Sequence, residues 1–276
     1  MMPYLDENLV VFTDLDGSLL DHNSYSWQPA QEWLNRLITA QIPVILTTSK
    51  TAAEVAELQQ QLKLTQHPFI AENGALIGLP GNWPAREPSS NGHIIGAGYE
   101  EIRHILVTLR QRYDFEFRGF GDVSVQQVID WTGLPPGGAK LAMQREASEP
   151  IIWFGNDLDF ARFEKYLKAE KLSLTRGGRF WHVMGVEAGK GQAVSWLTEQ
   201  YQTRTGKTVV SIGLGDGPND IGMLNATDYS IIILGHHDHP MQLNKENNIF
   251  RTSQHGPEGW KQGLDQLISL SSTPQQ

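Results

Sequence analysis

The sequence predicts an α/β fold: a parallel-sheet core interrupted by a second α/β domain. Three observations carry this. The first eighty residues alternate short apolar runs with stretches of helical periodicity, and the same alternation returns near the C-terminus. Between them, residues 80–98 are rich in Pro, Gly, Ser and Asn, and a different succession of short strands and helices follows. Strand, helix, strand, helix, strand implies parallel strands joined by right-handed crossovers.

Leu9–Thr13 is a Val- and Phe-containing run bounded by polar residues and reads as a buried strand. Pro29 opens a helical segment in which Ala30, Leu34, Leu37 and Ile38 keep helix spacing. Ile42–Thr47 reads as a second strand. Val55, Leu58 and Leu62 line a second helix. Phe69–Ala71 is a third strand, ended by the turn residues Glu72-Asn73-Gly74. The middle predicts a helix over 99–112, a strand over Phe115–Phe117, and two short helices split by Leu134-Pro135-Pro136-Gly137-Gly138. A strand over Pro150–Phe154, a helix over 158–170 and two strands between 172 and 184 follow, partly antiparallel. Ala193, Val194, Leu197 and Tyr201 then mark a helical stripe closed by Gly206. Thr208–Leu214 and Tyr229–Leu234 read as strands, and Ser271–Gln276 as a polar tail.

Composition narrows the function. The 276 residues, 39% of them apolar, suffice for one large domain or two moderate ones with a real core. No apolar run approaches the roughly 20 residues that span a bilayer. Residues 1–7 show neither the basic nor the apolar region of a secretory signal. A cytoplasmic protein with no membrane partner is expected. The absence of cysteine excludes disulfides, thiolate metal sites and a cysteine nucleophile. A net charge of −9 with no basic block argues against nucleic acid; an anionic substrate then needs local positive contacts. The oligomeric state is not encoded in any readable pattern.

The strongest local signal is Val10-Val11-Phe12-Thr13-Asp14-Leu15-Asp16-Gly17-Ser18. Residues two apart in a strand point to one side, so Asp14 and Asp16 can share a site just beyond the strand's carboxyl end, where open α/β sheets bind ligands. Gly17 permits the sharp turn that follows. Close carboxylates raise one another's pKa unless a cation lies between them, and magnesium suits a few carboxylate oxygens plus phosphate and water. A calcium loop is excluded, because positions six and twelve counted from Asp14 hold Leu19 and Tyr25 rather than Gly and Glu. Taken alone, the segment reads equally as a turn with two solvated aspartates.

The second signal is Ser211-Ile212-Gly213-Leu214-Gly215-Asp216-Gly217-Pro218-Asn219-Asp220, an apolar strand that again ends in glycines and acids. Asp216 can supply a third carboxylate, and Asp220 can orient the metal's water or a nearby lysine. Lys190, in Ala188-Gly189-Lys190-Gly191, opens a helix without a Walker sequence; taken alone it is a solvated charge. Thr48, in Thr47-Thr48-Ser49-Lys50, ends the second strand with a hydroxyl able to donate to phosphate; taken alone the segment is a helix N-cap candidate. His236-His237-Asp238-His239 fits no common zinc spacing and reads as a solvated loop.

In this order the four acid, hydroxyl and lysine segments resemble the haloacid dehalogenase superfamily of phosphohydrolases. The interval between Thr48 and Lys190 corresponds to that superfamily's type-two α/β cap. The resemblance implies a Rossmann-like parallel-sheet core over residues 1–83 and 187–276 and a substrate-selecting cap over 84–186. Ser49-Lys50-Thr51, the segments 70–75, 145–150 and 176–180, and Gly256-Pro257-Glu258-Gly259-Trp260 are further similar to the mannosyl-3-phosphoglycerate phosphatase family, in its bacterial branch. The likeness implies Asp14 as nucleophile and Asp16 as general acid and base. It implies Mg2+ at Asp14, Asp16 and Asp216, supported by Asn219 and Asp220, with Thr48 and Lys190 on the transferring phosphoryl group. Lys50, Glu72, Asn73, Arg145, Ser148 and Arg179 fall near the substrate, and Trp260 near the site mouth. His182 reads as a structural histidine.

The implied activity is a magnesium-dependent phosphomonoesterase acting through a phosphoryl-aspartate on a small anionic phosphorylated metabolite, a glycosyl phosphoglycerate such as mannosyl-3-phosphoglycerate. Sucrose-, trehalose- and hexose-phosphate are the rival substrates. Outside the phosphatases, the same aspartate can serve a phosphomutase, and the same pocket a non-catalytic phosphate-binding regulator.

Overall fold

The structure, a computed structural model, describes residues 3–5, 8–81, 83, 92–177, 179–236 and 241–268. The polar tail, residues 84–91 of the expected linker, Gly178 and His237, Asp238 and His239 lie outside the described residues. The chain divides into two compact units, Met1–Thr48 with Lys190–Gln276, and Ser49–Gly189. The cap expected over 84–186 lies inside the second unit.

The first unit begins with β1 (Leu9–Thr13), buried along its whole length as its unbroken apolar run requires. A 3-10 turn holding Pro29 leads into α1 (Gln31–Thr39), whose Trp33, Leu34 and Leu37 are buried. β2 (Val44–Thr47) starts later than the apolar run from Ile42 suggests. The reason is Pro43, whose carbonyl accepts from Val11 N at 2.9 Å but which has no N–H to continue the ladder.

In the second unit, α2 (Ala52–Leu62) is opened by a capping box between Thr51 and Glu54 and stopped by Lys63 in the left-handed region. β3 (Phe69–Ala71), β4 (Leu76–Gly78) and β5 (Gly92–Ile94) form an antiparallel meander. Glu72-Asn73-Gly74 is thus a tight reversal, and β5 stands inside the stretch expected to be loop. Then come α3 (Tyr99–Tyr113), β6 (Phe117–Gly119), α4 (Val125–Thr132), α5 (Pro136–Ala142), β7 (Ser148–Trp153), α6 (Asp157–Ala169), β8 (Leu172–Arg176) and β9 (Trp181–Gly185). The last four strands pair in the order β6-β7-β9-β8, antiparallel throughout. Ile102, Leu106 and Leu109 of α3 and Phe163 and Leu167 of α6 pack with Phe117, Ile151, Leu172 and Val183 of the strands.

The chain returns to the first unit with α7 (Lys190–Thr205), β10 (Val210–Gly215), α8 (Ile221–Ala226), β11 (Tyr229–Ile232), β12 (Ile249–Arg251) and α9 (Gly256–Leu267). Its strands run β12-β11-β10-β1-β2, every pair parallel. β2 lies on one side of β1 and β10 on the other, so the strand order reverses at β1, and the crevice at its carboxyl end is where such sheets take ligands. α9 is hidden in the sequence by Gly256, Gly259 and Gly263, poor helix formers. Gly263 serves contact: a Cβ there would lie 2.3 Å from Ile231 Cγ2 of β11. No helix among the described residues is long and apolar enough to cross a membrane.

Candidate active site

The site in the first unit is assembled from the carboxyl ends of β1 and β10 and the first residue of α7. Asp14 follows β1 directly, its N–H donating to Leu214 O of β10 at 2.9 Å. The chain then wraps tightly: Ser18 N and Leu20 N both donate to Leu15 O. Gly17 allows this, with φ +88° and a vacant Cβ position only 2.6 Å from Asp216 Oδ2. A side chain there would displace the Asp216 carboxylate and strain the left-handed backbone. Ser18 Oγ donates to Asp216 Oδ1 at 3.1 Å, a contact for which the sequence offered no signal beyond adjacency to the Asp-x-Asp-Gly segment.

Lys190 is the hinge of the arrangement. Buried to 3% exposure, its Nζ donates to Asp14 Oδ1 and to Asp220 Oδ1, each at 2.7 Å. The other oxygen of Asp220 accepts from Asp216 N at 3.1 Å and Gly217 N at 3.0 Å. Asp220 therefore shapes the β10 loop and aims the lysine at Asp14.

Asp14, Asp216 and Asp220 bring carboxylate oxygens within 4.8 Å of one another. Three carboxylates on one ammonium leave an excess of negative charge. Burial, and then the neighbouring Asp220, push the Asp14 carboxyl well up and that of Asp216 to about 7. Burial opposes the charge on Lys190, yet Asp14 and Asp220 hold its pKa above the ordinary value. A small divalent cation removes the excess, and an all-oxygen donor set with no thiolate or imidazole suits Mg2+.

Asp16, expected as a ligand, stands outside this group of three. It is half-buried and bridges to Leu20 after the chain has left the strand. Asn219 is half-buried in the 3-10 turn Pro218–Asp220. Thr48 is buried immediately beyond β2. Trp260, expected near the site mouth, is fully buried, its Nε1 donating at 2.9 Å to Oγ1 of Thr13, the residue before Asp14. His236 is exposed and stacks on His255 with ring centroids 4.5 Å apart.

The remaining expected residues belong to the second unit. Glu72 is fully buried and accepts from Glu146 N at 2.8 Å, Ala147 N at 3.2 Å and Ser148 Oγ at 2.6 Å. Half-buried Arg145 donates from Nε to Ala142 O and from Nη1 to Ser49 O, with Phe120 beneath its guanidinium. Lys50 is half-buried, and its carbonyl accepts from Glu72 N at 2.9 Å. Asn73 is buried with neither amide atom partnered. Arg179 is exposed, and its guanidinium donates to Trp131 O and Thr132 O at the end of α4, a helix-capping role. His182 is buried in β9, where burial and then the charge of Arg145 depress its pKa to about 3.

Residues 11–120 match the sequence profile of haloacid dehalogenase-like hydrolases, and residues 159–267 that of sucrose-6F-phosphate phosphohydrolase. The fold is similar to that of protein 0175 of Thermoplasma acidophilum, with TM-score 0.68, 17% identity, and 97% of this chain and 99% of that one covered. It is similar to BT1666 of Bacteroides thetaiotaomicron, described among phosphatases of the haloalkanoate enzyme superfamily, with TM-score 0.68, 18% identity and coverage of 95% and 96%. It is also similar to the sucrose-phosphatase of Synechocystis sp. PCC6803, determined with sucrose and phosphate, with TM-score 0.58, 14% identity and coverage of 95% and 98%.

Proposed function

We propose, from the match of residues 11–120 to the haloacid dehalogenase-like hydrolase profile and the likeness of fold over nearly the whole chain, that the protein is a phosphomonoesterase forming a phosphoryl-aspartate on Asp14. The observation that carries the reading is the buried bridge from Lys190 to both Asp14 and Asp220, with Asp216 alongside. A nucleophilic carboxylate, a fixed cation and a second acid facing a cation site are what attack on a phosphate dianion requires.

Asp14 attacks phosphorus in line with the oxygen not taken by Lys190, and the bond from phosphorus to the leaving oxygen breaks. Asp16 donates a proton to that oxygen. It then takes a proton from the water that attacks phosphorus and releases Asp14, so one carboxyl serves both half-reactions. Lys190 and Thr48 hold phosphoryl oxygens. Asp14 and Asp216 would hold Mg2+, which when bound would supply charge that offsets the repulsion between the phosphate and the carboxylates.

The substrate on this reading is a small sugar-linked phosphate. The segments around Arg145 favour a glycosyl phosphoglycerate such as mannosyl-3-phosphoglycerate, whose carboxylate needs a positive partner. The profile match over residues 159–267 and the sucrose-phosphatase neighbour favour sucrose phosphate as the second reading. Phosphate release with Mg2+ across mannosyl- and glucosyl-3-phosphoglycerate, sucrose, trehalose and hexose phosphates, with Asp14→Asn as control, tests both. Release from one glycosyl phosphoglycerate, lost in the variant, supports the first. Release confined to sucrose phosphate supports the second. No release above the variant from any ester sinks the phosphatase.

A further inference from the structure

Glu72, Asn73 and Gly74 take φ values of +52°, +57° and +94°, three left-handed residues in succession, two of them not glycine. Such backbone is strained and persists only where its surroundings over-determine it. Here the surroundings are identifiable. The Glu72 N–H donates to Lys50 O, the Glu72 carbonyl accepts from Ala75 N, and the carboxylate accepts from three successive residues, Glu146, Ala147 and Ser148. Those three residues follow Arg145 and lead into β7. Ser148 Oγ, which donates to Glu72, also accepts from Arg145 Nη1 at 3.5 Å. The next residue in the turn is Asn73, whose amide is buried with no partner for its oxygen or its nitrogen.

A buried carboxylate engaged by three donors has little left to offer a ligand. An unpartnered buried amide has a donor and an acceptor to give. We propose that Glu72 is a positioning residue rather than a ligand contact: its carboxylate clamps segment 146–148 against the left-handed turn and so fixes the positions of Arg145 and Asn73. The inference rests on the phosphatase reading for its kinetic consequence and on geometry alone for its structural one.

The test uses the full-length protein carrying Glu72→Gln, which keeps the shape but turns one acceptor into a donor facing backbone N–H groups. Hydrogen exchange needs no substrate: the amides of Glu146 and Ala147 should lose protection at least tenfold while those of α3 and α6 keep theirs. In kinetics, kcat/KM should fall at least tenfold more for the best ester of the panel than for p-nitrophenyl phosphate, chiefly through KM. Arg145→Ala should cost far less in the Glu72→Gln background than in the wild type. Ser148→Ala, which removes one side-chain donor, should give a weaker version of the same pattern and serves if Glu72→Gln does not fold. Unchanged exchange at residues 146 and 147, or full additivity of the Glu72 and Arg145 effects, overturns the proposal. Absence of phosphatase activity in the wild type with the exchange result intact overturns the activity and leaves the clamp.

Discussion

Trp260 Nε1 donates to Thr13 Oγ1 at 2.9 Å, and the Thr13 hydroxyl donates in turn to the carbonyl of Asp14 at 2.8 Å. The last helix of the chain is thereby tied to the peptide of the proposed nucleophile through a relay with no solvent access. Trp260→Phe keeps most of the ring and deletes the donor. A lost hydrogen bond of this kind costs about 1 kcal/mol net, and the smaller ring adds a cavity term of similar size. A loss of about 1–2 kcal/mol in urea denaturation is expected, with kcat reduced more than KM is raised. Unchanged stability and kcat together would show the relay to be idle.

The Lys190 bridge predicts a larger effect. Lys190→Met preserves length and apolar volume but leaves Asp14 and Asp220 buried without their cation. Removing one member of a buried ionic pair costs roughly 3–5 kcal/mol. Phosphate release should fall by at least about 10²-fold, because the fixed charge on the phosphoryl group is lost as well. Asp220→Asn weakens the same bridge from the other end, so stabilities measured for the two single variants and the double variant should be non-additive by about 0.5–3 kcal/mol. Strict additivity would mean that the lysine and Asp220 act independently.

Excess negative charge at Asp14, Asp216 and Asp220 makes cation binding a stability effect. A ligand that binds only the folded state contributes about 2.7 kcal/mol when present at about 100 times its Kd. Thermal unfolding should therefore shift upward as MgCl2 is titrated, and chelation should reverse the shift and stop phosphate release. Asp216→Asn removes a proposed ligand and should suppress the magnesium-dependent shift. If wild type and Asp216→Asn respond alike to magnesium, the cation is held elsewhere.

Much of this site was legible because its parts are local. An unbroken apolar strand followed by acids and glycines announces itself at Leu9–Asp16 and again at Ser211–Asp220, and the parallel sheet juxtaposes the two. The rule that residues two apart share a side put Asp16 beside Asp14; the strand ends at Thr13, and the three carboxylates that lie within 4.8 Å of one another are those of Asp14, Asp216 and Asp220. Asp220 is drawn into the group by its bond to Lys190. β4, β5 and β12 are three residues each, too short for any period to show. The left-handed turn at Glu72 was unreadable for a different reason: the donors that hold it lie at 146–148, and no local pattern names a partner that distant.

His182 predicts how the protein responds to acid. Burial, then the nearby charge of Arg145, hold its folded pKa near 3, while the same side chain in the unfolded chain titrates near 6.5. Above about pH 6.5 both states carry a neutral imidazole and His182 imposes no penalty. Below it the unfolded chain takes up a proton that the folded chain refuses, so stability falls as pH drops, by up to about 1.4 kcal/mol per pH unit until about pH 3. His182→Leu fills a similar volume and cannot titrate. Unfolding free energies measured in urea between pH 7.5 and 4.5 should fall more steeply for the wild type than for His182→Leu, by about one proton's worth of slope. Parallel curves would mean that the imidazole is protonated in the folded protein, with its Nδ1, unpartnered in the structure, meeting water or an anion beside Arg145.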